Sequence, residues 1–577
     1  MKKIAAIFII SLFLLPQWQM ASGDGLDPAG ILLGKWFKPD THNGASTLAD
    51  PRLYPHAALK HFYQRRKFQP TWIAQKGPLP QLETLLQIIH QASGDGLREM
   101  DYDFWNLRPP LRHDAFFSNE TERMNVQDLA ALDVALTEVM LRYAAHLSYG
   151  RVRPEELPPM FPGNDKPTIK DLPVELANAM NDNRMQTFIE GLRPHHQQYL
   201  RLKETLQRYR RIQAGGGWPR ISEGSKLTIG DKGTRVKALH RLLTITGDLQ
   251  ADAWLPNDRF SPPLEAAVKR FQYRHGLKTD GIVGSRTLAA LNTPVEMRMI
   301  QLMLNMERWR WLPEDFGSRY VIVNIPAFEL RVVEEQIETL SMRVIVGRKS
   351  RATPVLFSQL TYLEVNPYWN IPQEIARRDL LEKIQDDPEY LIQQGIQVFD
   401  SWREDAPELD PLGIDWVSVS KNNFPFRLRQ KPASRNALGR IKFMFPNSQS
   451  VYIHDTPGKS LFNKTRRLFS SGCVRVEDPV ELAVQLLKDQ HWDRRRLEKY
   501  IAFDQNRAIA LQTPIPVYLV YFTAWTDADG RIHFSDDIYN HDRRLLLALL
   551  KNSSGHSSCS LIAAPDQPAT ISNSPTF

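Results

Sequence analysis

The chain has little cysteine and no long apolar stretch, and both absences limit what it can be. Among its 577 residues only Cys473 and Cys559 are cysteines, so at most one disulfide can form. The apolar run at residues 4–15 is shorter than the roughly 20 residues that a membrane-spanning helix needs, and no other stretch approaches that length. We therefore expect a soluble protein rather than a membrane-spanning one.

Two catalytic motifs are missing as well. No His-Glu-x-x-His occurs, and His454 has no partner histidine in a metal-binding motif, which argues against metal-dependent hydrolysis. Ser418-Val-Ser-Lys421 fits the Ser-x-x-Lys motif of penicillin-binding enzymes, but the chain contains no Lys-Thr-Gly. The serine would also have to begin a helix, whereas residues 416–420 are predicted to be a strand or turn. Neither a metal site nor a serine nucleophile is therefore expected.

The N-terminus has the pattern of an export signal. Two lysines precede the short apolar run, and small residues follow near Ala21 and Gly23, which predicts a signal peptide at residues 1–23. An uncleaved anchor is the alternative. The formal net charge of +8 and a pI near 9.2 favour an anionic partner. Export argues against nucleic acid and for the cell envelope.

A histidine lies at the end of a predicted strand. Residues 450–454 alternate as a half-buried strand does, with Val451 and Ile453 on one side. Tyr452 and His454 then share the other face, which we expect to be exposed.

The same alternation recurs nineteen residues later, around a cysteine. Val474 and Val476 are expected to point inward, and Cys473 and Arg475 the opposite way. Next comes Asp478-Pro479-Val480-Glu481, a sequence typical of a helix N-terminus. The thiol should therefore lie just before a helix.

A thiol near an imidazole indicates nucleophilic catalysis. A free cysteine has a pKa near 8.5 and is mostly protonated at neutral pH, so it needs a base to become a thiolate. His454 would be that base for Cys473. The alternatives are a structural histidine with a buried cysteine, and a disulfide between Cys473 and Cys559. The disulfide would consume the nucleophile, and Cys559 lies in a Ser-rich tail.

The residues of this region resemble a known catalytic motif. His454, a loop, and then Ser470-Ser471-Gly472-Cys473-Val474-Arg475 resemble the motif of L,D-transpeptidases with a YkuD-type domain. Many members have a second histidine before the glycine, where this chain has Ser471. In this position the chain resembles the large, YcbB-like subgroup.

The resemblance implies roles for several residues. Cys473 would be the acylated nucleophile and His454 its base, with no cofactor and no metal. Other predicted site residues would bind substrate or stabilise the oxyanion, with ordinary packing as the alternative: Gly472, Ser471, Arg475, Tyr452 and Trp369. The oxyanion donors would be backbone N–H groups near Gly472 and Cys473.

The rest of the chain resembles the large subgroup in its organisation, which implies a multidomain α+β fold. The expected parts are a helical scaffold domain at residues 45–220, a three-helix peptidoglycan-binding domain at 225–293, a mostly β sandwich catalytic domain at 316–540 and a disordered tail at 551–577. The glycine-rich turns of the three-helix region are explained equally well by tight connections alone. The helical region before it contains no catalytic constellation, so we expect it to be a helical scaffold.

An insertion interrupts the predicted strands of the catalytic domain. Residues 371–425 are rich in helix formers, and an excursion beside the active strands is a candidate lid. The alternative is a passive decoration. In the large subgroup such an insertion caps the substrate cleft.

The resemblance implies acyl transfer on peptidoglycan stem peptides in the periplasm, with cross-links between third-position residues. Peptidoglycan stems and glycan would be the partners, and other wall-synthesis enzymes are further candidates. Three alternatives stay open: an L,D-carboxypeptidase, an enzyme that attaches a protein to the wall, and a wall-binding adaptor without catalysis.

Overall fold

The structure is a computed structural model that describes residues 27–37, 56–102, 124–154, 157, 172–250 and 258–551. The predicted signal peptide, Cys559 and the predicted tail after Lys551 lie outside these residues. Within them, no helix is both long and apolar enough to cross a membrane. The chain divides into two compact units.

The first unit comprises residues 1–89, 102–143 and 171–188, and its described part is mainly helical. The helices lying in it, some of which end beyond it, are α1 Pro28–Trp36, α2 His56–Arg65, α3 Pro80–His90, α4 Val126–Tyr149, α5 Leu172–Asn181 and α6 Met185–Gly191. A hairpin joins β1 Ile73–Ala74 to β2 Gly77–Pro78. The fully buried Asp133 of α4 accepts hydrogen bonds from the Tyr63 hydroxyl at 2.7 Å and from the Trp72 N–H at 2.7 Å. This carboxylate fixes the hairpin to α4, where apolar residues recur at helical spacing over residues 126–147.

The helical part of the second unit includes a three-helix bundle. The helices of this part are α7 Gln197–Ala214, α8 Thr234–Thr246, α9 Pro262–Arg274, α10 Ser285–Leu291 and α11 Val295–Arg310. The helices α8, α9 and α10 share one apolar core, which includes Leu239, Val268 and Leu291. They confirm the three helices expected after Leu227.

Nine strands of the second unit form one large sheet. The strands that follow α11 are β3 Arg319–Asn324, β4 Glu329–Glu334, β5 Ile337–Gly347, β6 Leu356–Val365, β7 Trp369–Asn370, β8 Ile396–Phe399, β9 Glu408–Leu409, β10 Arg427–Gln430, β11 Ile441–Met444, β12 Ile453–His454, β13 Leu468–Ser470, β14 Val474–Val476, β15 Arg507–Val520, β16 Ala524–Thr526 and β17 Ile532–Phe534. The large sheet has the order β13-β5-β14-β12-β11-β6-β15-β3-β4. Of the other strands, β16 and β17 form a separate hairpin, and the remaining four belong to a second sheet.

The large sheet returns on itself because β5 pairs with β4 over its first part and with β14 near its end. A continuous apolar core, which includes Val323, Leu363 and Val474, lies on its inner face. Three helices follow β14: α15 Pro479–Leu487, α16 Arg494–Ala502 and α17 His541–Lys551. Asp478 caps α15 by accepting the Glu481 N–H at 3.0 Å, which confirms the predicted helix start. The β-rich catalytic region is thus as expected.

The insertion is not purely helical. It contains α12 Gln373–Ile375, a π-helical turn Ala376–Leu380, α13 Leu381–Asp386 and α14 Glu389–Gln393. The strands β8 and β9 also lie in it, and they join β10 and β7 in a four-stranded sheet of order β7-β10-β8-β9. The sheet is short, so its alternation spans too few residues to stand out in the sequence. Residues 416–418, predicted as strand or turn, form a single 3₁₀ turn.

Candidate functional site

The predicted histidine and cysteine lie on neighbouring parallel strands. β12 pairs with β14 so that Ile453 is opposite Val474 and His454 is opposite Arg475. Ile453 and Val474 are fully buried in the core. Because side chains alternate, Tyr452, His454, Cys473 and Arg475 lie on the other face. The predicted shared face is therefore confirmed.

The prediction that this face is exposed was wrong for His454. His454 is only 4% exposed, although Tyr452 and Cys473 are partly accessible. On the adjacent strand, Lys442 is the register partner of His454. The imidazole is therefore enclosed, which a strand pattern cannot show because alternation gives the face and not what covers it.

A backbone carbonyl orients the His454 ring. Nδ1 lies 2.5 Å from the carbonyl oxygen of Asp455. A carbonyl can only accept, so Nδ1 is the protonated nitrogen of the neutral ring and Nε2 is the basic one. Burial, followed by repulsion from Arg475, lowers the pKa of His454 to about 3. The ring is neutral at physiological pH and able to accept a proton.

Asp455 is itself held in place by a close backbone approach. Its carboxylate accepts the Arg440 N–H at 2.8 Å and forms an ion pair with Lys459 at 2.6 Å. Gly439 has a φ of +61°, and a Cβ there would lie 2.3 Å from the Asp455 carboxyl. This position therefore requires glycine, and it supports the residue that orients His454.

Tyr452 and Cys473 directly precede the paired residues Ile453 and Val474, so they lie next to each other. Burial raises the pKa of Cys473, while the backbone and hydroxyl of Tyr452, then Arg475, act to lower it. Burial also raises the pKa of Tyr452, and its hydroxyl interacts with Trp369. The structure thus brings Trp369, Tyr452 and Cys473 together. Among the hydrogen bonds of the described residues, none joins the Cys473 thiol to Tyr452, Trp369 or His454.

Two cations flank the thiol. Arg475 Nε is buried without a hydrogen-bond partner, and among the described residues no carboxylate pairs with its guanidinium. Lys442 lies 3.9 Å from Glu364 and 4.4 Å from the centre of the Tyr452 ring. Burial lowers the pKa of both Arg475 and Lys442. A negatively charged group brought to this face would meet a cation that has no partner.

The backbone before the nucleophile is fixed by hydroxyl groups. Ser470 Oγ accepts the Gly472 N–H at 3.2 Å and donates to the Cys473 carbonyl at 2.5 Å. Thr353 Oγ1 donates to the Gly472 carbonyl at 2.7 Å and accepts the Gly347 N–H at 2.8 Å. Gly472 has a φ of +119°, a conformation that favours glycine. The Gly472 N–H is thus already bonded, which leaves the Cys473 N–H as the remaining one of the two predicted oxyanion donors.

Sequence reasoning did not single out several residues of this site. Thr353 directly precedes Pro354 in the turn after β5, and this Thr-Pro pair is a local signal that could have indicated it. Tyr539, whose hydroxyl donates to the Gly347 carbonyl at 2.5 Å, had none, because it lies far along the chain. The same holds for Asp379, which reaches Ser471 through two arginines. The described residues show no disulfide at Cys473.

Comparison with protein families and known proteins matches three parts of the chain. Residues 318–514 match the L,D-transpeptidase catalytic domain of the YkuD family. Residues 57–206 match the scaffold domain, and residues 232–291 match the family described as "Putative peptidoglycan binding domain".

One curated relative and two solved structures are similar to parts of the chain. A Haemophilus influenzae protein named "Putative L,D-transpeptidase" is 40% identical over 248 residues, which are 43% of this chain and 49% of the relative. The match thus spans about half of that relative's length. A crystal structure of an L,D-transpeptidase from Xylanimonas cellulosilytica has 15% identity and a TM-score of 0.17, and covers 52% of this chain and 99% of that one. One from Stackebrandtia nassauensis has 15% identity and a TM-score of 0.21, and covers 52% and 96%.

The catalytic region, the scaffold and the binding module thus each match a family model of the kind that the sequence resemblance implies. Residues 318–514 belong to the YkuD family of L,D-transpeptidase catalytic domains, and the chain joins this domain to a scaffold domain and a peptidoglycan-binding domain.

Proposed function

We propose that the protein is a peptidoglycan L,D-transpeptidase that uses Cys473 as its nucleophile. The observation that supports this most is the placement of Cys473 and His454 on one face of adjacent strands, inside a domain of this family. Cofactors and metal ions have no part in the reaction. We further propose that the protein is exported and works in the periplasm, where its peptidoglycan-binding domain holds it near the wall.

The first half-reaction forms a thioester. Cys473 Sγ attacks the carbonyl that joins the diamino acid at the third stem position to the D-Ala at the fourth, and its proton passes to His454 Nε2. The oxyanion accepts the Cys473 N–H. His454 then protonates the leaving amine, the C–N bond breaks and D-Ala departs.

The second half-reaction forms the cross-link. The side-chain amine of a second stem's diamino acid attacks the thioester and gives a proton to His454. The C–S bond breaks, and the thiolate recovers its proton from His454. The product joins the third-position residues of two stems, and the enzyme returns to its starting state.

The electrostatics of the site suit this substrate class. Stem peptides have free carboxylates, and Arg475 is a half-buried cation without an anionic partner in the described structure. A carboxylate on Arg475 would form charge-assisted hydrogen bonds beside the nucleophile. Tyr452 and Trp369 would contact the stem on the same face. These contacts orient the scissile bond toward Sγ.

Product analysis tests the cross-linking claim. The mature protein is incubated with purified disaccharide-tetrapeptide, and the products are separated and sequenced by tandem mass spectrometry. We expect dimers linked through third-position residues. A trimmed tripeptide without any dimer would show an L,D-carboxypeptidase. Transfer to a protein amine alone would show attachment to the wall.

A wall-binding adaptor is the remaining alternative, and biological complementation distinguishes it. The Cys473→Ala variant should fail to replace the native protein in cells that depend on it. Full activity of that variant would mean that wall binding, and not catalysis, is the protein's contribution.

A further inference from the structure

Ser471 stands immediately before Gly472 and is held by two arginines. Its Oγ accepts hydrogen bonds from Arg351 Nη1 at 3.1 Å and from Arg348 Nη2 at 3.3 Å. Both arginines follow strand β5, in the turn that also contains Thr353. The hydroxyl of the residue that replaces the commoner histidine is therefore an acceptor of two charge-assisted hydrogen bonds.

Both arginines are also bound by one carboxylate of the insertion. Asp379, in the π-helical turn, forms an ion pair with Arg348 at 3.1 Å and takes two hydrogen bonds from Arg351, the one to Oδ1 at 3.1 Å and the other to Oδ2. The fork of Arg351 therefore binds both carboxylate oxygens, which fixes its plane as well as its position. π-Helical turns are frequent at functional sites.

The other anchors of the nucleophile loop come from outside the insertion. Ser470 and Thr353 bind the backbone of Gly472 and Cys473. Among the hydrogen bonds described for residues 470–473, those that lead toward the insertion run through Arg348 and Arg351. Both guanidinium groups donate to Ser471 Oγ, and the Arg348 backbone N–H donates to the Ser470 carbonyl at 3.0 Å. A carboxylate, two guanidinium groups and a hydroxyl thus connect Asp379 to the residue two positions before the thiol.

We propose that Asp379 is a positioning residue that acts through Arg348, Arg351 and Ser471 to fix the nucleophile loop. Without its carboxylate, the two guanidinium groups repel each other and lose the geometry that holds Ser471 Oγ. The Gly472 backbone then samples conformations in which Sγ and the Cys473 N–H no longer face one substrate carbonyl together. The insertion thereby takes part in catalysis through its ion pairs. For turnover, this inference rests on the proposed function.

The test uses Asp379→Asn with a matched control from the same insertion. Glu382→Gln removes an ion pair with Lys421, 2.6 Å long, that does not reach the loop. In Asp379→Asn we expect kcat for cross-linking to fall about ten- to hundredfold, because small misplacements of reacting groups cost that much. KM should stay within about twofold, and Asp379→Glu should recover part of the loss. Glu382→Gln should behave as the native protein.

A double variant separates positioning from a general loss of structure. If Asp379 acts through Ser471, then Asp379→Asn in a Ser471→Ala background should cost no more than Ser471→Ala alone. The proposal would be overturned if the losses in kcat of the two single variants multiplied in the double variant. An Asp379→Asn variant as active as the native protein would overturn it as well. Unfolding temperatures confirm that each variant is folded.

Thiol alkylation distinguishes failure of this inference from failure of the proposed function. The rate constant for iodoacetamide at Cys473 is followed by peptide mass spectrometry and needs no turnover. We expect the same factor of change in Asp379→Asn and Ser471→Ala, and none in Glu382→Gln. That pattern in a protein without cross-linking activity would keep the positioning role and reject the transpeptidase. Rates equal to native in Asp379→Asn would reject the positioning role.

Discussion

His454 lies opposite Arg475 in the parallel pairing of β12 and β14, so a permanent cation faces the proposed base. Burial and this cation together lower the pKa of His454 to about 3, while burial raises that of Cys473. At neutral pH the resting pair is therefore a neutral imidazole and a neutral thiol. In the proposed reaction the proton would therefore leave the thiol during attack and not before it, which differs from a preformed thiolate–imidazolium pair.

Removal of Arg475 should make the thiol harder to ionise. A cation favours the thiolate, so Arg475→Gln raises the pKa of Cys473 further. The alkylation rate at pH 8 should fall by at least about threefold, and its rise with pH should move to higher pH. In the native protein no inflection should appear near pH 6.5, because His454 stays neutral down to about pH 3. Arg427→Gln, an arginine of the insertion's sheet, is the control. Identical profiles for native and Arg475→Gln would contradict this account.

Loss of the Tyr452 hydroxyl should also slow the reactions of the Cys473 thiol. The hydroxyl acts to lower the pKa of Cys473, so Tyr452→Phe should reduce alkylation at pH 8 and lower kcat by about tenfold, the scale of one ordinary polar contact of about 1 kcal/mol. Tyr368→Phe is a matched control, because Tyr368 packs on Arg429 at 4.8 Å and is 39% exposed. Equal effects of the two substitutions would show that the Tyr452 hydroxyl has no special role.

Thr353 should matter for both stability and turnover. Thr353→Val keeps the shape but leaves the Gly347 N–H and the Gly472 carbonyl without their partner. Such losses cost about 1–3 kcal/mol each when the group is buried, and kcat should fall because Gly472 is freed. Thr361→Val, which removes one longer bond of 3.4 Å to the Met444 carbonyl, should cost less. Chemical denaturation and steady-state kinetics measure both effects, and a Thr353→Val variant as stable and active as Thr361→Val would contradict the assignment.

Gly439→Ala tests the support of the histidine. The new Cβ would lie 2.3 Å from the Asp455 carboxyl, so Asp455 and its bond to His454 must shift. Gly395→Ala is matched, because Gly395 also has a positive φ, +65°, but nothing within 4 Å of a Cβ. It should cost about 1 kcal/mol from backbone strain alone, and Gly439→Ala about 2–4 kcal/mol together with lost activity. Equal free energies of unfolding for the two variants would remove the steric argument.

The sequence predicted the parts of the site that depend on strand alternation and local motifs. The shared face of Tyr452, His454, Cys473 and Arg475 follows from a period of two residues, and the start of α15 follows from its cap. The burial of His454 could not be predicted, since it depends on neighbours outside its own strand. Nor could the strands of the insertion, which are only two to four residues long.

Long-range contacts set a second limit to prediction. Tyr539 reaches the Gly347 carbonyl across 192 residues, and Asp379 reaches Arg351 across 28. Neither lies in a run with a pattern of its own. Side chains that act on a site through other residues leave no local signal, so only the folded chain identifies them.

The measurement that tests the central claim most directly is intact-mass spectrometry of the mature protein mixed with disaccharide-tetrapeptide. Native protein, Cys473→Ala and His454→Ala are compared. The account predicts a thioester adduct that has lost D-Ala in the native protein and none in either variant. A folded native protein with a free Cys473 thiol that forms no adduct, or an adduct that persists in Cys473→Ala, would contradict it.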